Sequence, residues 1–245
     1  PGNYMLLLDQ PGANSWPITA ATFILVYKKQ ANAADGAQVL KFSPTGKLLL
    51  RLGVPGIYGN DETHLSQPSD VVTDAQGNIY VADAHDSPPV NNRIVKYDKT
   101  GKFIKAWPSC HPIQARQIDC SHSIEIDSQG RIFVANRANN VIHIYDQKGK
   151  LLAVWPHFGK PTGLFIDKND ILYVSDSQTG TGNGNGFVKG THIGSARTGV
   201  VTAFIKENNL TAKPTAMGGP AANITAVMSG QVDVGWAAPP FGLDQ

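Results

Sequence analysis

The side chains best suited to chemistry stand singly along the chain. His122 lies in SHSIEID, His85 in VADAHDSPPVNNRIV and Arg137 in VANRANNVI. A neutral imidazole is a good zinc ligand, and three converging side chains would leave a coordination position for water or substrate; a lone His122 can equally be a ring bonded to backbone. An imidazole at His85 could act as a general base. The Arg137 guanidinium could grip a carboxylate with two parallel hydrogen bonds, or form an ordinary surface salt bridge. His64, His111, His143, His157 and His192 show no metal-ligand spacing with one another and read mostly as loop or strand-surface residues. Cys110 and Cys120 flank HPIQARQID. A disulfide there would contribute about 2 to 3 kcal/mol by restricting the unfolded chain and suit an oxidising compartment; two free thiols are the other reading. The glycine-rich GTGNGNG at 180–186 is followed by another strand pattern rather than a helix, so it reads as a long loop and not as a dinucleotide turn.

These residues are positioned by a repeat. The phrases DAQGNIYVAD (Asp74 to Asp83), DSQGRIFVAN (Asp127 to Asn136) and DKNDILYVSD (Asp167 to Asp176) recur, interleaved with VLKFSPTGKLLLRLG, IVKYDKTGKFIKAWP and IHIYDQKGKLLAVWP. In each, Asp can bond nearby backbone N–H groups and Gly can take positive φ, which makes a tight turn before a strand. One unit then predicts strands over 68–72, 79–82, 94–97 and 102–107; the other units open with strands at 121–126 and 161–166. Repeats of about 40 to 55 residues mean solenoids, propellers or arrays, and four antiparallel strands per unit predict an all-β propeller. Asp83, Asn136 and Asp176 share one repeat position, which favours a structural turn role. Trp107 and Trp155 share another, which predicts core or blade-edge packing rather than sugar stacking.

The chain has 245 residues and a formal charge of +2 with no run of like charges, which argues against nucleic acid as a partner. Its longest apolar run, around Ala20 to Tyr27, is too short for a membrane-spanning helix. It opens at Pro1 without a basic start and apolar stretch, and so reads as a mature form or a fragment.

The stretches QPSDVVTDAQGNIYVADAHDSPPVNNRIVKYDKTGKFIKAW and SHSIEIDSQGRIFVANRANNVIHIYD resemble the NHL-repeat family, and more narrowly the propeller of peptidyl-α-hydroxyglycine α-amidating lyases. HFGKPTGLFIDKNDILYVSDS with KGTHIGSARTGVVTAFI is similar to bacterial secreted NHL proteins. The resemblance covers residues 35–206. The segment 1–34, with SWPITAATFILVYKK, resembles periplasmic phosphate-binding proteins; 207–245, with ANITAVMSGQVDVGWAAPPFGLDQ, is similar to substrate-binding proteins of nitrate, sulfonate or taurine type transporters. Three segments are therefore expected, as in a mosaic or composite sequence, and all three families are exported, which implies a periplasmic or extracellular location.

In the lyase family zinc sits on three histidines, with an arginine and a tyrosine near the substrate. The resemblance places His122 at a metal ligand, Arg137 at the substrate-facing arginine and His85 near the tyrosine. The neighbouring repeats carry Ser69 and Thr162 where His122 stands, and neither is a zinc ligand in place of imidazole, so the site reads as incomplete. The leading expectation is a secreted or periplasmic propeller that binds a protein or small-molecule ligand through its face loops (87–92, 108–120 and 179–199). A zinc-dependent C–N lyase and a part of a solute-uptake system are the alternatives.

Overall fold

Aspartate side chains close the turns. Asp74 Oδ1 accepts the backbone N–H groups of Gln76 at 3.0 Å and Asn78 at 2.8 Å. Asp127 does the same for Gln129 and Arg131, and Asp167 for Asn169 and Ile171. Asp98 and Asp146 repeat the device with Thr100 and Lys102, and with Lys148 and Lys150. Gly77 and Gly130 hold the positive φ that ends such turns, at 83° and 75°. In the third phrase the turn position is Asp170, which takes φ 59° without being glycine. Its buried carboxylate accepts the N–H and Oγ–H of Ser128 at 2.9 and 2.6 Å and the Nε–H of Arg197 at 2.8 Å. Bonds to the preceding repeat, through Ser128, and to the β14–β15 turn, through Arg197, thus offset the cost of the left-handed conformation.

A computed structural model describes residues 22–26, 37–43, 45–84, 91–110, 120–179 and 187–206. All belong to one compact unit that ends at Glu207. The strands are β1 (Thr22–Val26), β2 (Gln38–Phe42), β3 (Leu48–Leu52), β4 (Pro68–Thr73), β5 (Ile79–Asp83), β6 (Arg93–Tyr97), β7 (Phe103–Pro108), β8 (Ile124–Ile126), β9 (Ile132–Asn136), β10 (Val141–Tyr145), β11 (Leu151–Trp155), β12 (Gly163–Ile166), β13 (Ile171–Asp176), β14 (Gly190–Ser195) and β15 (Val201–Lys206). They form one three-stranded sheet, β1-β2-β3, and three four-stranded meanders, β4 to β7, β8 to β11 and β12 to β15, all antiparallel. Four sheets of this kind are the all-β blades expected from the repeat. Within the segment 1–34, however, Thr22–Val26 pairs with β2, so a strand of that region joins the first sheet. Its apolar, β-branched TFILV run suits a strand. β8 is shorter than expected because, before Ile124, only His122 N–H and Ser123 C=O still pair with Ala135.

Strand alternation sends successive side chains to opposite faces, and in the middle sheets both faces are covered. Ile79 and Val81 of β5 pack with Val39 and Leu52 of the sheet before and with Leu65 of the connection between the two sheets. Tyr80 and Ala82 pack with Ile132, Val134 and Tyr145 of the sheet after. β9 repeats the pattern: Ile132 and Val134 face back, while Phe133 and Ala135 face forward onto Leu164, Leu172 and Val174. Trp107 and Trp155 serve this packing, as expected. Each lies over the turn glycine of the following sheet: a Cβ on Gly149 would come within 2.6 Å of Trp107, and one on Gly199 within 2.9 Å of Trp155.

Candidate functional site

In a meander all turns between first and second strands, and between third and fourth, lie on one edge. Here these are tight turns, headed by an aspartate in five cases and by Ser43 and Ser195 in β2–β3 and β14–β15. The opposite edge carries the described parts of the longer connections, residues 53–67, 84 with 91–92, 109–110 with 120–123, 156–162, and 177–179 with 187–189. It is also where β4, β8 and β12 begin, side by side.

Matched side chains clasp these first strands together. Ser69 Oγ–H donates to the Ser121 carbonyl at 2.5 Å, and His122 Nδ1–H donates to the Thr162 carbonyl at 2.5 Å. One residue along, Asp70 Oδ2 accepts the Ser123 hydroxyl at 2.7 Å and the Ile124 N–H at 2.9 Å, and Ser123 Oγ accepts the Leu164 N–H at 3.1 Å. Burial pushes the Asp70 carboxyl up from the usual aspartate range, opposed by these bonds. Burial also raises Glu125 from an ordinary 4.5 to about 7, with the Asp70 charge adding to the effect. These two carboxylates went unnoticed in the sequence. Aligning the strand openings at the repeat aspartate would have set Asp70 against Ser123 and Gly163, and Glu125 against Val72 and Phe165.

The second-strand ends carry the recurrent Asp83, Asn136 and Asp176, and each ties down a connection on the same edge. Asp83 accepts the backbone N–H groups of Ser66 and Gln67 at 2.8 and 2.9 Å, Asn91 Nδ2–H at 2.6 Å and Arg93 Nε–H at 3.0 Å. Arg93 continues to the carbonyls of Asn60, Asp61 and His64. Asp176 accepts the N–H groups of Lys160, Gln178 and Thr179 and the Thr179 hydroxyl. Asn136 Oδ1 caps a single 3-10 turn, Arg137–Asn139, through the Asn139 N–H. The structural role expected of this repeat position is what these bonds show.

Of the sequence-derived candidates, His122 and Arg137 both reach this edge. Arg137 is buried, at 8% exposure, which rules out the surface-salt-bridge reading. His122 is half-buried, with Nδ1 bound to backbone. His85 lies outside the described residues, as do His111, the loop 180–186 and the segment 207–245. His143 and His192 correct the expectation of surface histidines: both are buried, in β10 and β14. His143 Nδ1 bonds the Ser109 carbonyl at 3.0 Å, and burial lowers the pKa of His192. Cys110 and Cys120, on the same edge, form a disulfide with Cα atoms 5.3 Å apart. Among the described residues no three His, Cys, Asp or Glu side chains converge to hold a metal ion. The described residues therefore do not fit the zinc site that the lyase resemblance implied.

No family model matches the chain. Over 112 residues it is 31% identical to the human NHL repeat-containing protein 3, covering 44% of this chain and 31% of that protein. Over 97 residues it is 30% identical to a probable peptidyl-alpha-hydroxyglycine alpha-amidating lyase of Caenorhabditis elegans, covering 39% of this chain and 27% of that one. The chain thus spans about a third of the length of these relatives. Among solved structures, hydrazine synthase of Kuenenia stuttgartiensis superposes with a TM-score of 0.50 at 17% identity, over 71% of this chain and 45% of that one. The four sheets are blades of a β-propeller. With the sequence relatives, they define the repeat region as an NHL-type propeller.

Proposed function

We propose that the chain is a binding scaffold that works outside the cytoplasm and holds a peptide or protein partner on its long-connection edge. The observation that carries this reading is the asymmetry of the two edges. One is closed by short turns, most of them headed by aspartate; the other carries the roots of the longer connections among the described residues, fastened by Asp83, Asp176 and the Cys110–Cys120 disulfide. Variable loops on a rigid frame are the usual place for recognition. The disulfide supports an oxidising location.

The test is a random peptide library selected on the purified protein, with bound clones rechallenged by two variants. Ala138 is exposed on the long-connection edge and Lys148 on the turn edge. Ala138→Trp is expected to reduce binding at least tenfold and Lys148→Trp to leave it unchanged. The reverse result, or equal loss in both, would sink the reading.

The lyase alternative draws on the nematode relative and on His122, whose Nδ1–H bond to a carbonyl is the arrangement that orients histidine ligands of metals. It requires ligands from outside the described residues. Release of glyoxylate from an α-hydroxyglycine peptide, dependent on added zinc and lost in His122→Ala, is its signature; no release with zinc present ends it.

A further inference from the structure

The last two strands of each sheet meet in the same irregularity. Lys41 pairs with Leu50 and Phe42 with Leu48; Lys96 pairs with Lys105 and Tyr97 with Phe103; Ile144 pairs with Ala153 and Tyr145 with Leu151. Leu49, Ile104 and Leu152 are therefore the extra residues of three β-bulges, and a bulge re-aims the side chain it leaves unpaired. All three are open to solvent, at 51%, 48% and 48% exposure. The bulge does not itself demand an aliphatic residue, because in β15 Thr202 takes that place, between Ala203 paired with Ile193 and Val201 paired with Gly194. Three exposed aliphatic residues at one repeat position thus answer to something other than the sheet.

Each stands two residues after an exposed lysine, Lys47, Lys102 or Lys150, that closes the turn before its strand. The three turns, 43–47, 98–102 and 146–150, hold five lysines against two aspartates, and Lys99 and Lys148 are exposed as well. Both aspartates are occupied by their own turns. Asp98 accepts the N–H and hydroxyl of Thr100 and the Lys102 N–H, and Asp146 accepts the N–H groups of Lys148 and Lys150. Among the described residues the ion pairs are made by His64, Arg93, Arg131 and Arg197, and none by these lysines. Five ammonium groups and three aliphatic side chains therefore share one border of β3, β7 and β11, at or within two residues of the turn edge.

We infer that this border docks on the surface of an anionic lipid bilayer, with the lysines at the headgroup phosphates and Leu49, Ile104 and Leu152 reaching the acyl boundary. Charge complementarity selects an anionic partner, since clustered lysines are drawn to the negative potential of such a surface. The aliphatic residues select lipid among anionic partners, because apolar side chains enter the boundary between headgroups and acyl chains, whereas nucleic acid bases are held by aromatic ones. Single exposed apolar residues need no partner; here each recurs beside a lysine in successive sheets, which sets the pairs along one border as contact with an extended surface requires.

Flotation of the full chain with lipid vesicles tests this. The expected result is that the chain floats with vesicles of phosphatidylcholine mixed with phosphatidylglycerol, stays behind with phosphatidylcholine alone, and is released from the anionic vesicles as salt rises. Lys102→Gln combined with Lys150→Gln should lower the bound fraction roughly tenfold by removing charge. Ile104→Ser combined with Leu152→Ser should lower it by roughly as much by removing insertion. All four side chains are exposed, so the far-ultraviolet circular dichroism of both double variants should match the parent. No flotation with the anionic vesicles overturns the inference. So does flotation that survives either double substitution, since charge alone or apolar contact alone would then account for it. The peptide-binding test above reads the opposite edge, so either result can fail without the other.

Discussion

β9 and β13 are written in nearly the same letters, IFVAN and ILYVSD, yet they live in different environments. Every residue of β9 is buried. In β13 burial alternates, with Leu172, Val174 and Asp176 covered and Ile171, Tyr173 and Ser175 open to varying degree. The composition of β13 is that of a strand buried on both faces, so its half-exposed state belongs to its place at the end of the stack and not to its sequence. Stability in such arrays is a sum of repeat and interface terms. A residue's contribution therefore depends on whether another sheet lies over it, even when its identity and strand position are unchanged.

The largest test of this difference is Phe133→Ala. The ring is fully buried between two sheets, with Trp155 edge-on at 5.5 Å and the Arg131 guanidinium 5.6 Å from its centroid. Removing a buried phenylalanine leaves a cavity and costs about 3 to 5 kcal/mol. Urea denaturation should show that loss as a lower midpoint with an unchanged slope. A cost as small as that of an exposed residue would mean that the interface between the second pair of meanders is loosely packed, and the contrast with β13 would collapse.

A second, smaller effect comes from the strand that precedes β9. Glu125 and Phe165 occupy the same repeat position, one at a covered interface and one at the open end. The covered site raises the Glu125 pKa to about 7, chiefly through burial. The folded chain then holds a proton that the unfolded chain releases near pH 4.5, so stability falls as pH rises from about 4.5 to 7 and stays reduced above it. Converted at 1.36 kcal/mol per pKa unit and reduced for partial exposure, the loss is about 2 kcal/mol. Glu125→Gln should match the parent near pH 4 and exceed it by about that amount at pH 8, with Asp70 leaving a residual slope of the same sign. Identical pH profiles for parent and variant would show that Glu125 remains solvated.

The repeat phrases revealed most of the architecture because a turn that needs Asp and Gly leaves a fixed residue pattern, and alternating apolar letters place a strand. They also predicted the structural role of Asp83 and Asp176 and the packing of Trp107 and Trp155. Asp170 shows where such reading stops: it breaks the glycine pattern because its carboxylate serves Ser128 and Arg197 in other turns, a relation between residues far apart in sequence. The burial of Arg137 and the carboxylate pair at Asp70 and Glu125 were hidden for the same reason. Each depends on what an adjacent sheet brings alongside, and a phrase read by itself carries no record of its neighbour.

The smallest expected effect is also the most discriminating. Tyr173→Ala removes an aromatic ring from the same strand position as Phe133→Ala, but from a face that no sheet covers among the described residues. In dilute protein its cost should be less than about 1 kcal/mol, the range of partly exposed positions. A cost as large as that of Phe133→Ala would mean that the Tyr173 ring is covered, and β9 and β13 would then share one environment after all.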